Sequence, residues 1–314
     1  MNQGAPTALA LGATLYMPCT RDNLAESLFG VQRIPELRSA VLCLEDAVLE
    51  RDVPVALVRL SALLRTLAAR LPQPGDPLLF VRPRDAAMLE HVLCMAGAER
   101  LDGFVLPKAH ADSMPAYLAL PYADRHRLMP TLETREACDP YEMRRLRDQL
   151  LGVQERILAV RIGGNDLLRA MGLRRTVGRT AYDGPLGSII ANLVAGFAPW
   201  GFSLSAPVLE QFADAELLRA EIVRDIEHGL LTKTAIHPGQ VAVIQAALAV
   251  PAEQVEEARQ MLAEDSPAVF ARDGVMCEPA THRNWAKRLL DRAALYGVNA
   301  PLVTPLRLVS GVDQ

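Results

Sequence analysis

The sequence predicts an α/β fold, a TIM (β/α)8 barrel over residues 1–250 followed by a C-terminal helical extension over residues 251–314. Eight short apolar runs recur along the chain, and they are continuous rather than alternating, as in parallel strands covered on both faces. The longer stretches between them carry helical periodicity. Alternating strands and helices in this number favour the barrel, and a doubly wound sheet is the alternative.

The predicted strands follow one another at residues 14–18, 40–46, 78–84, 103–109, 128–134, 157–164, 202–208 and 233–238. The connector after the second strand shows the helical spacing, since Leu60, Leu64 and Leu67 recur at steps of four and three residues. Pro72 ends that helix. Past residue 250, Pro251 stands at the start of another amphipathic stretch, which predicts the helical extension.

The composition indicates a cytoplasmic protein that acts on small molecules. The chain has 314 residues, half of them apolar, and a net charge of −4 without the basic stripe of a nucleic-acid binder. Its 5 cysteines are scattered and form no C-x-x-C pair, which fits a reducing compartment and argues against a disulfide framework or a zinc site. A run of about 18 apolar residues is missing from the sequence, so we expect no membrane span.

Polar side chains follow nearly every predicted strand. In a barrel of this kind the active site collects at the carboxyl ends of the strands, so these residues are the candidates for a site. They are Glu45, Asp46, Arg82, Arg84, Lys108, Glu133, Asn165, Asp166 and His237. A structural core would not require this set, because buried charges cost several kcal/mol unless they are paired.

The chemistry of the candidates suggests a division of roles. Glu133 and Asp166 would offer two carboxylates to Mg²⁺, with the remaining positions left for water and substrate oxygens. Arg82 could bind a substrate carboxylate with two hydrogen bonds. The Gly163–Gly164 pair before Asn165 permits close approach of the backbone, so that amide groups there could meet an anion.

Each candidate also has a purely structural interpretation. Asp166 could cap the helix that follows it. Lys108 could simply pair with an acid such as Glu45, and the His237–Pro238 step could be only the turn into the last helix of the barrel. The case for a site therefore depends on the joint occurrence at successive strand ends.

Taken together, the motifs resemble the citrate lyase beta-subunit-like family of the HpcH/HpaI aldolase superfamily. The stretches that carry the resemblance are "LYMPCTR", "LCLEDAV", "FVRPR", "DGFVLPKA", "PTLET", "RIGGNDLLRAMGL", "KTAIHPGQ" and "DGVMCEP", in this order. Members of that family are Mg²⁺-dependent barrels, usually homotrimers or hexamers, that make or break a carbon–carbon bond next to a carbonyl, often in acyl-CoA thioesters. The resemblance places the metal ligands on Glu133 and Asp166 and the carboxylate-binding arginine on Arg82.

The resemblance also implies an acid/base machinery. The family's acidic pair falls on Glu45 and Asp46 and its lysine on Lys108. Its C-terminal segment packs over a neighbouring protomer and delivers an acid, which corresponds here to Glu278. Arg84 replaces the asparagine that family members usually carry, and the extra cation would suit a more anionic substrate.

The leading hypothesis is a Mg²⁺-dependent carbon–carbon lyase or aldolase that acts through an enolate on a 2-oxo or 2-hydroxy acid or its acyl-CoA thioester. Arg82, Arg84 and the Gly164–Asn165 stretch would bind the substrate, and Asp46 or Glu278 would move the proton. One alternative is a condensing transferase of the malate synthase type, because strand-end residues do not encode the direction of the reaction. The other is a barrel kept for binding or assembly without turnover.

Overall fold

The computed structural model describes residues 6–272 and 274–299, and eight strands of these residues form one parallel sheet. The sheet order is β7-β6-β5-β4-β3-β2-β1-β8. The strands are β1 Ala13–Pro18, β2 Ser39–Cys43, β3 Leu78–Arg82, β4 Gly103–Leu106, β5 Arg127–Leu132, β6 Val160–Ile162, β7 Leu204–Ser205 and β8 Lys233–Ala235. Just past β7, Ala206 pairs with Lys233 of β8, and this bridge closes the barrel. The predicted α/β barrel is confirmed.

Helices follow the strands in the order that the sequence predicts. They are α1 Leu24–Phe29, α2 Val53–Ala69, α3 Ala86–Leu93, α4 Met114–Leu118, α5 Pro140–Leu151, α6 Gly164–Ala170, α7 Pro185–Phe197, α8 Ala215–Glu227 and α9 Pro238–Ala247. In α2, Leu60, Leu64 and Leu67 are buried on one face, as their spacing predicts. Within the described chain, no helix is both long and apolar enough to cross a membrane.

Each predicted strand overlaps an observed strand, but from β2 onward the strands end two or three residues earlier than predicted. The reason is visible after β2, where the backbone N–H of Asp46 donates to the Glu45 carboxylate (2.9 Å) instead of to a neighbouring strand. After β4, Lys108 adopts a left-handed backbone (φ 50°), which ends the extended conformation. The polar residues therefore occupy the loops that follow the strands.

The interior of the barrel has an apolar layer and a polar layer. Val41, Phe80, Val105, Met129 and neighbouring residues form a buried cluster, against which the short helix over residues 8–11 packs. Side chains two residues apart on a strand point to the same face. Arg82, two residues after Phe80, therefore points into the same interior one layer nearer the carboxyl ends of the strands.

The described residues divide into two compact units between Ala247 and Leu248. The second unit contains β9 Val250–Pro251, α10 Ala252–Leu262, β10 Phe270–Arg272, β11 Val275–Cys277, α11 Pro279–Tyr296 and β12 Val298–Asn299. It has its own core, in which Val255 and Met261 of α10 pack with Cys277, Ala286 and Leu289. Residues 300–314 of the predicted extension lie outside the described residues, and its packing on a neighbouring protomer stays a prediction.

Candidate active site

A cavity of about 560 Å³ lies at the carboxyl ends of the barrel strands, within the first unit. Seven of the residues that the sequence singles out line it, namely Asp46, Arg82, Glu133, Gly163, Gly164, Asn165 and Asp166. Glu45 and Lys108 contact residues of this lining. The structure thus brings most of the predicted strand-end candidates to one place.

Glu45 lies between two cations. Its carboxylate is 3.2 Å from Arg82 Nη1, and its other oxygen accepts a hydrogen bond from Lys108 Nζ. Although burial raises its pKa, hydrogen bonds from Asp46 and the charges of Arg82 and Lys108 hold the pKa of Glu45 below its usual range. Glu45 is therefore an anion that fixes the positions of both cations.

Asp46 has the opposite electrostatic environment. Its carboxylate is half-exposed and lies 3.5 Å from Arg82 Nη1 and 3.7 Å from Lys108 Nζ. Burial and the neighbouring Glu45 raise the pKa of Asp46 to about 6, and the two cations offset part of that rise. Two adjacent acids thus differ in proton affinity, which is the condition under which one of them can exchange a proton near neutrality.

Arg82 is the last residue of β3 and is 9% exposed. Besides its contacts with the two acids, its Nε and Nη2 donate to the Cys43 sulfur at 3.4 and 3.2 Å. Its guanidinium lies 5.1 Å from the centre of the Tyr16 ring. These contacts fix the orientation of the guanidinium at the wall of the cavity.

Glu133 follows β5 and is buried. Its Oε1 accepts a hydrogen bond from the backbone N–H of Lys108 (2.7 Å), which the left-handed backbone of that residue aims at it. Its Oε2 lies against Gly163, where an added Cβ would come within 2.5 Å of it, so only glycine leaves room for the carboxylate. Burial raises the pKa of Glu133 to about 7, Asp166 adds to the rise, and Arg82 and the Lys108 N–H oppose it.

Asp166 lies in the first turn of α6, two residues after its start, and Arg169 Nη2 is 2.6 Å from its carboxylate. The N-cap of α6 is Gly163, so the interpretation of Asp166 as the cap does not hold. Gly164 packs close to Pro207, where an added Cβ would be 2.8 Å from the proline ring. The chain at the end of β6 is therefore tightly packed, with Gly163 against Glu133 and Gly164 against Pro207.

The donor set fits Mg²⁺. In residues 6–272 and 274–299, no group of three or more His, Cys, Asp and Glu side chains is arranged to hold a metal ion, which argues against an all-protein cage. Mg²⁺ is commonly bound through one or two carboxylates and completes its shell with water and substrate oxygens. Glu133 and Asp166 line the same cavity, and its volume of about 560 Å³ leaves room for water and substrate oxygens beside them.

Sequence reasoning missed several polar residues of the lining, among them Tyr16, Thr131, Arg161 and Thr234. Arg161 is 1% exposed, its Nη2 donates to Thr234 Oγ1 (2.6 Å), and its guanidinium is 5.3 Å from the centre of the Tyr16 ring. The alternation of side chains along a strand could have identified two of these residues as interior. Thr131 and Arg161 come two residues after Met129 and Ala159 of the interior cluster.

Three further candidates are not among the described lining residues. The described lining of the cavity does not include Arg84, whose guanidinium donates to the Val48 carbonyl and is 2.9 Å from Glu50. Glu278 belongs to the second unit, where it precedes α11 and accepts a hydrogen bond from Thr281 (3.4 Å), and its role as an acid/base stays a prediction. The His237 ring accepts a hydrogen bond from the Gly239 N–H (3.1 Å), which agrees with its interpretation as a turn into α9.

Solved structures that share this fold include two lyase-related proteins. The CitE protein of Mycobacterium tuberculosis, in complex with magnesium, acetoacetate and coenzyme A, is 22% identical, with a TM-score of 0.68 over 91% of this chain and 99% of that one. A citrate lyase from Burkholderia xenovorans LB400 is 18% identical, with a TM-score of 0.66 over 93% and 94%.

A malate synthase from Haloferax volcanii, in a magnesium/glyoxylate complex, is 16% identical, with a TM-score of 0.61 over 76% of this chain and 75% of that one. No curated protein sequence matches the chain. The profile of the family described as "C-C_Bond_Lyase of the TIM-Barrel fold" matches residues 5–298, almost the whole length. The chain therefore belongs to this family of carbon–carbon bond lyases.

Proposed function

We propose that this chain is a Mg²⁺-dependent carbon–carbon lyase of the citrate lyase beta-subunit type, acting on a 2-oxo or 2-hydroxy acid or its acyl-CoA thioester through an enolate. The observation that carries the proposal is the meeting of Glu133, Asp166 and Arg82 at one cavity. Two carboxylates for a hard cation and one arginine for a carboxylate are what an α-oxygenated acid requires. The magnesium complexes of the similar CitE protein and malate synthase support the choice of metal.

Glu133 and Asp166 would hold the metal ion, which when bound supplies Lewis-acid stabilisation of negative charge on substrate oxygens. Arg82 would bind the carboxylate of the substrate, and its fixed orientation limits the rotation of the bound molecule. Glu45 and Lys108 would hold Arg82 and Glu133 in place. These two residues are positioning residues in this proposal rather than reacting groups.

Asp46 would act as the acid/base. In the cleavage direction it would take the proton of the substrate hydroxyl while the adjacent carbon–carbon bond breaks. The electron pair of that bond would pass to the carbon next to the carbonyl and form the enolate. The Asp46 pKa of about 6 suits this proton exchange near neutral pH. Glu278 of a neighbouring copy is the second candidate for this role, as part of a homotrimer or hexamer.

The proposal is tested by calorimetric titration of the wild type and Asp166→Ala with Mg²⁺. We expect the substitution to abolish measurable binding, because it removes one of two protein ligands. Asp124→Ala is a matched control that removes a fully exposed acid outside the lining, and it should bind Mg²⁺ as the wild type does. Unchanged binding in Asp166→Ala would refute the metal assignment.

The same site could serve condensation. The likeness to the malate synthase of Haloferax volcanii favours this second candidate, since its structure holds magnesium and glyoxylate. A site that stabilises one transition state does so in both directions. Incubation with Mg²⁺, an acyl-CoA and glyoxylate or pyruvate, followed by identification of the products, separates the lyase from the transferase.

A further inference from the structure

Arg161 is a buried cation without an acidic partner. The other buried cations of the barrel, Arg82, Arg175 and Lys233, each lie within 3.5 Å of two carboxylates. Among the ion pairs of residues 6–272 and 274–299, none includes Arg161. Its polar contacts are a threonine hydroxyl and the Met129 sulfur (3.7 Å), neither of which carries charge. Burying a charge without a counterion is costly, so the fold keeps Arg161 at a cost in stability.

Thr131, beside Arg161, also has a buried hydrogen-bond donor without an acceptor. Arg161 Nε and Thr131 Oγ1 are buried and have no hydrogen-bond partner among the described residues. The register of β5 and β6 makes Thr131 and Arg161 direct neighbours on one face. Both residues line the cavity. Adjacent buried donors without acceptors at the wall of a cavity indicate that a ligand supplies the acceptor.

The charge of the cavity agrees with this. The charged residues of its described lining are three acids and three arginines: Asp46, Glu133, Asp166, Arg82, Arg161 and Arg169. Their formal charges cancel, so a bound Mg²⁺ would leave the cavity with two positive charges. A substrate with two anionic groups would neutralise them, whereas a monocarboxylate would leave one uncompensated.

Resting on the proposed function, we infer that Arg161 and Thr131 bind a second anionic group of the substrate, so that the site takes a 2-oxo or 2-hydroxy diacid rather than a monoacid. Arg82 and Arg161 both lie over the Tyr16 ring, at 5.1 and 5.3 Å from its centre. The two guanidinium groups are therefore no more than about 10 Å apart, within reach of the two ends of a short diacid. Arg161 is then a specificity-determining residue.

Malate and lactate test the inference, because they share the 2-hydroxy acid end and differ in one carboxylate. In calorimetric titrations at saturating Mg²⁺, the wild type should bind malate more tightly than lactate. Arg161→Gln should weaken malate binding about 10- to 100-fold, the range for loss of a charged hydrogen bond, and change lactate binding less than twofold. Arg161→Lys, which keeps the charge, should retain part of the preference.

Thermal unfolding separates a binding role from a structural one. Since Arg161 is an uncompensated buried cation, Arg161→Gln without ligand should unfold at the same or a higher temperature than the wild type, and malate should no longer raise that temperature. Equal losses for malate and lactate would overturn the inference and make Arg161 a structural residue. Wild type that binds Mg²⁺ but binds malate and lactate equally would overturn the inference alone, and wild type that binds no Mg²⁺ would overturn the proposed function.

Discussion

Gly163→Ala perturbs the candidate metal site without removing a ligand. The added Cβ would lie 2.4 Å from Glu133 Cβ and 2.5 Å from Glu133 Oε2. Carbon atoms in contact normally lie about 3.5 Å or more apart, so Glu133 or the end of β6 has to move by about 1 Å. Metal–ligand distances tolerate only about 0.2 Å, and the movement therefore takes the carboxylate out of reach of the ion.

We expect Gly163→Ala to weaken Mg²⁺ binding about 100-fold, or about 2.8 kcal/mol, at the upper end of the range for changes that displace a ligand. Overpacking should also lower the free energy of unfolding by about 1–3 kcal/mol. Calorimetric titration with Mg²⁺ measures the first effect and urea denaturation the second. Both are measured on the intact chain.

The control for this experiment is Gly196→Ala in α7, where an added Cβ has no neighbour within 4 Å. This substitution should leave Mg²⁺ binding unchanged and raise stability by roughly 0.5–1 kcal/mol, because alanine is the better helix former. A folded Gly163→Ala protein that binds Mg²⁺ as tightly as the wild type would refute the placement of the ion on Glu133.

Two further predictions concern ionisable groups. With Asp46 as the base, the kcat/KM for cleavage should rise about tenfold per pH unit below a pH of about 6 and level off above that pH. Asp46→Asn should remove this pH dependence. If Asp46→Asn keeps the pH dependence, the role of base passes to Glu278. Lys233 Nζ lies 2.9 Å from Glu221 and 2.8 Å from Asp225, all buried. Lys233→Met should therefore lower the free energy of unfolding by about 3–5 kcal/mol in urea titrations while leaving Mg²⁺ binding intact, and a change below about 1 kcal/mol would contradict the estimate.

The eight strands could be located from sequence because a strand covered on both faces must be apolar throughout, and such runs are conspicuous. The ends of the strands from β2 onward could not be located from sequence. They depend on local hydrogen bonds to side chains, such as the one that the Asp46 N–H donates to the Glu45 carboxylate. Glu133 and Asp166 were predictable for a related reason: acids that follow successive parallel strands must meet at one end of a barrel.

Arg84 and Arg161 show the limit of this reasoning. Arg84 comes two residues after Arg82, so a continued strand would have aimed both into the interior. β3 ends at Arg82, and Pro83, which has no N–H for the sheet, turns the chain so that Arg84 meets Glu50 instead. Arg161 stands inside an apolar run, where the strand pattern alone gives no reason to expect a charge; only its spacing of two from Ala159 reveals its interior position.

Lys108 joins the two halves of the candidate site. Its backbone N–H donates to Glu133 Oε1, while its Nζ bonds the opposite acid, Glu45. The left-handed backbone that makes this possible costs a non-glycine residue roughly 1 kcal/mol, and a glycine at this position would avoid the cost. Glycine would keep the N–H but lose the ammonium group, and with it one of the two cations that hold Glu45 ionised. The strain is therefore explained by a residue whose backbone N–H must reach the candidate metal ligand Glu133 while its side chain reaches Glu45.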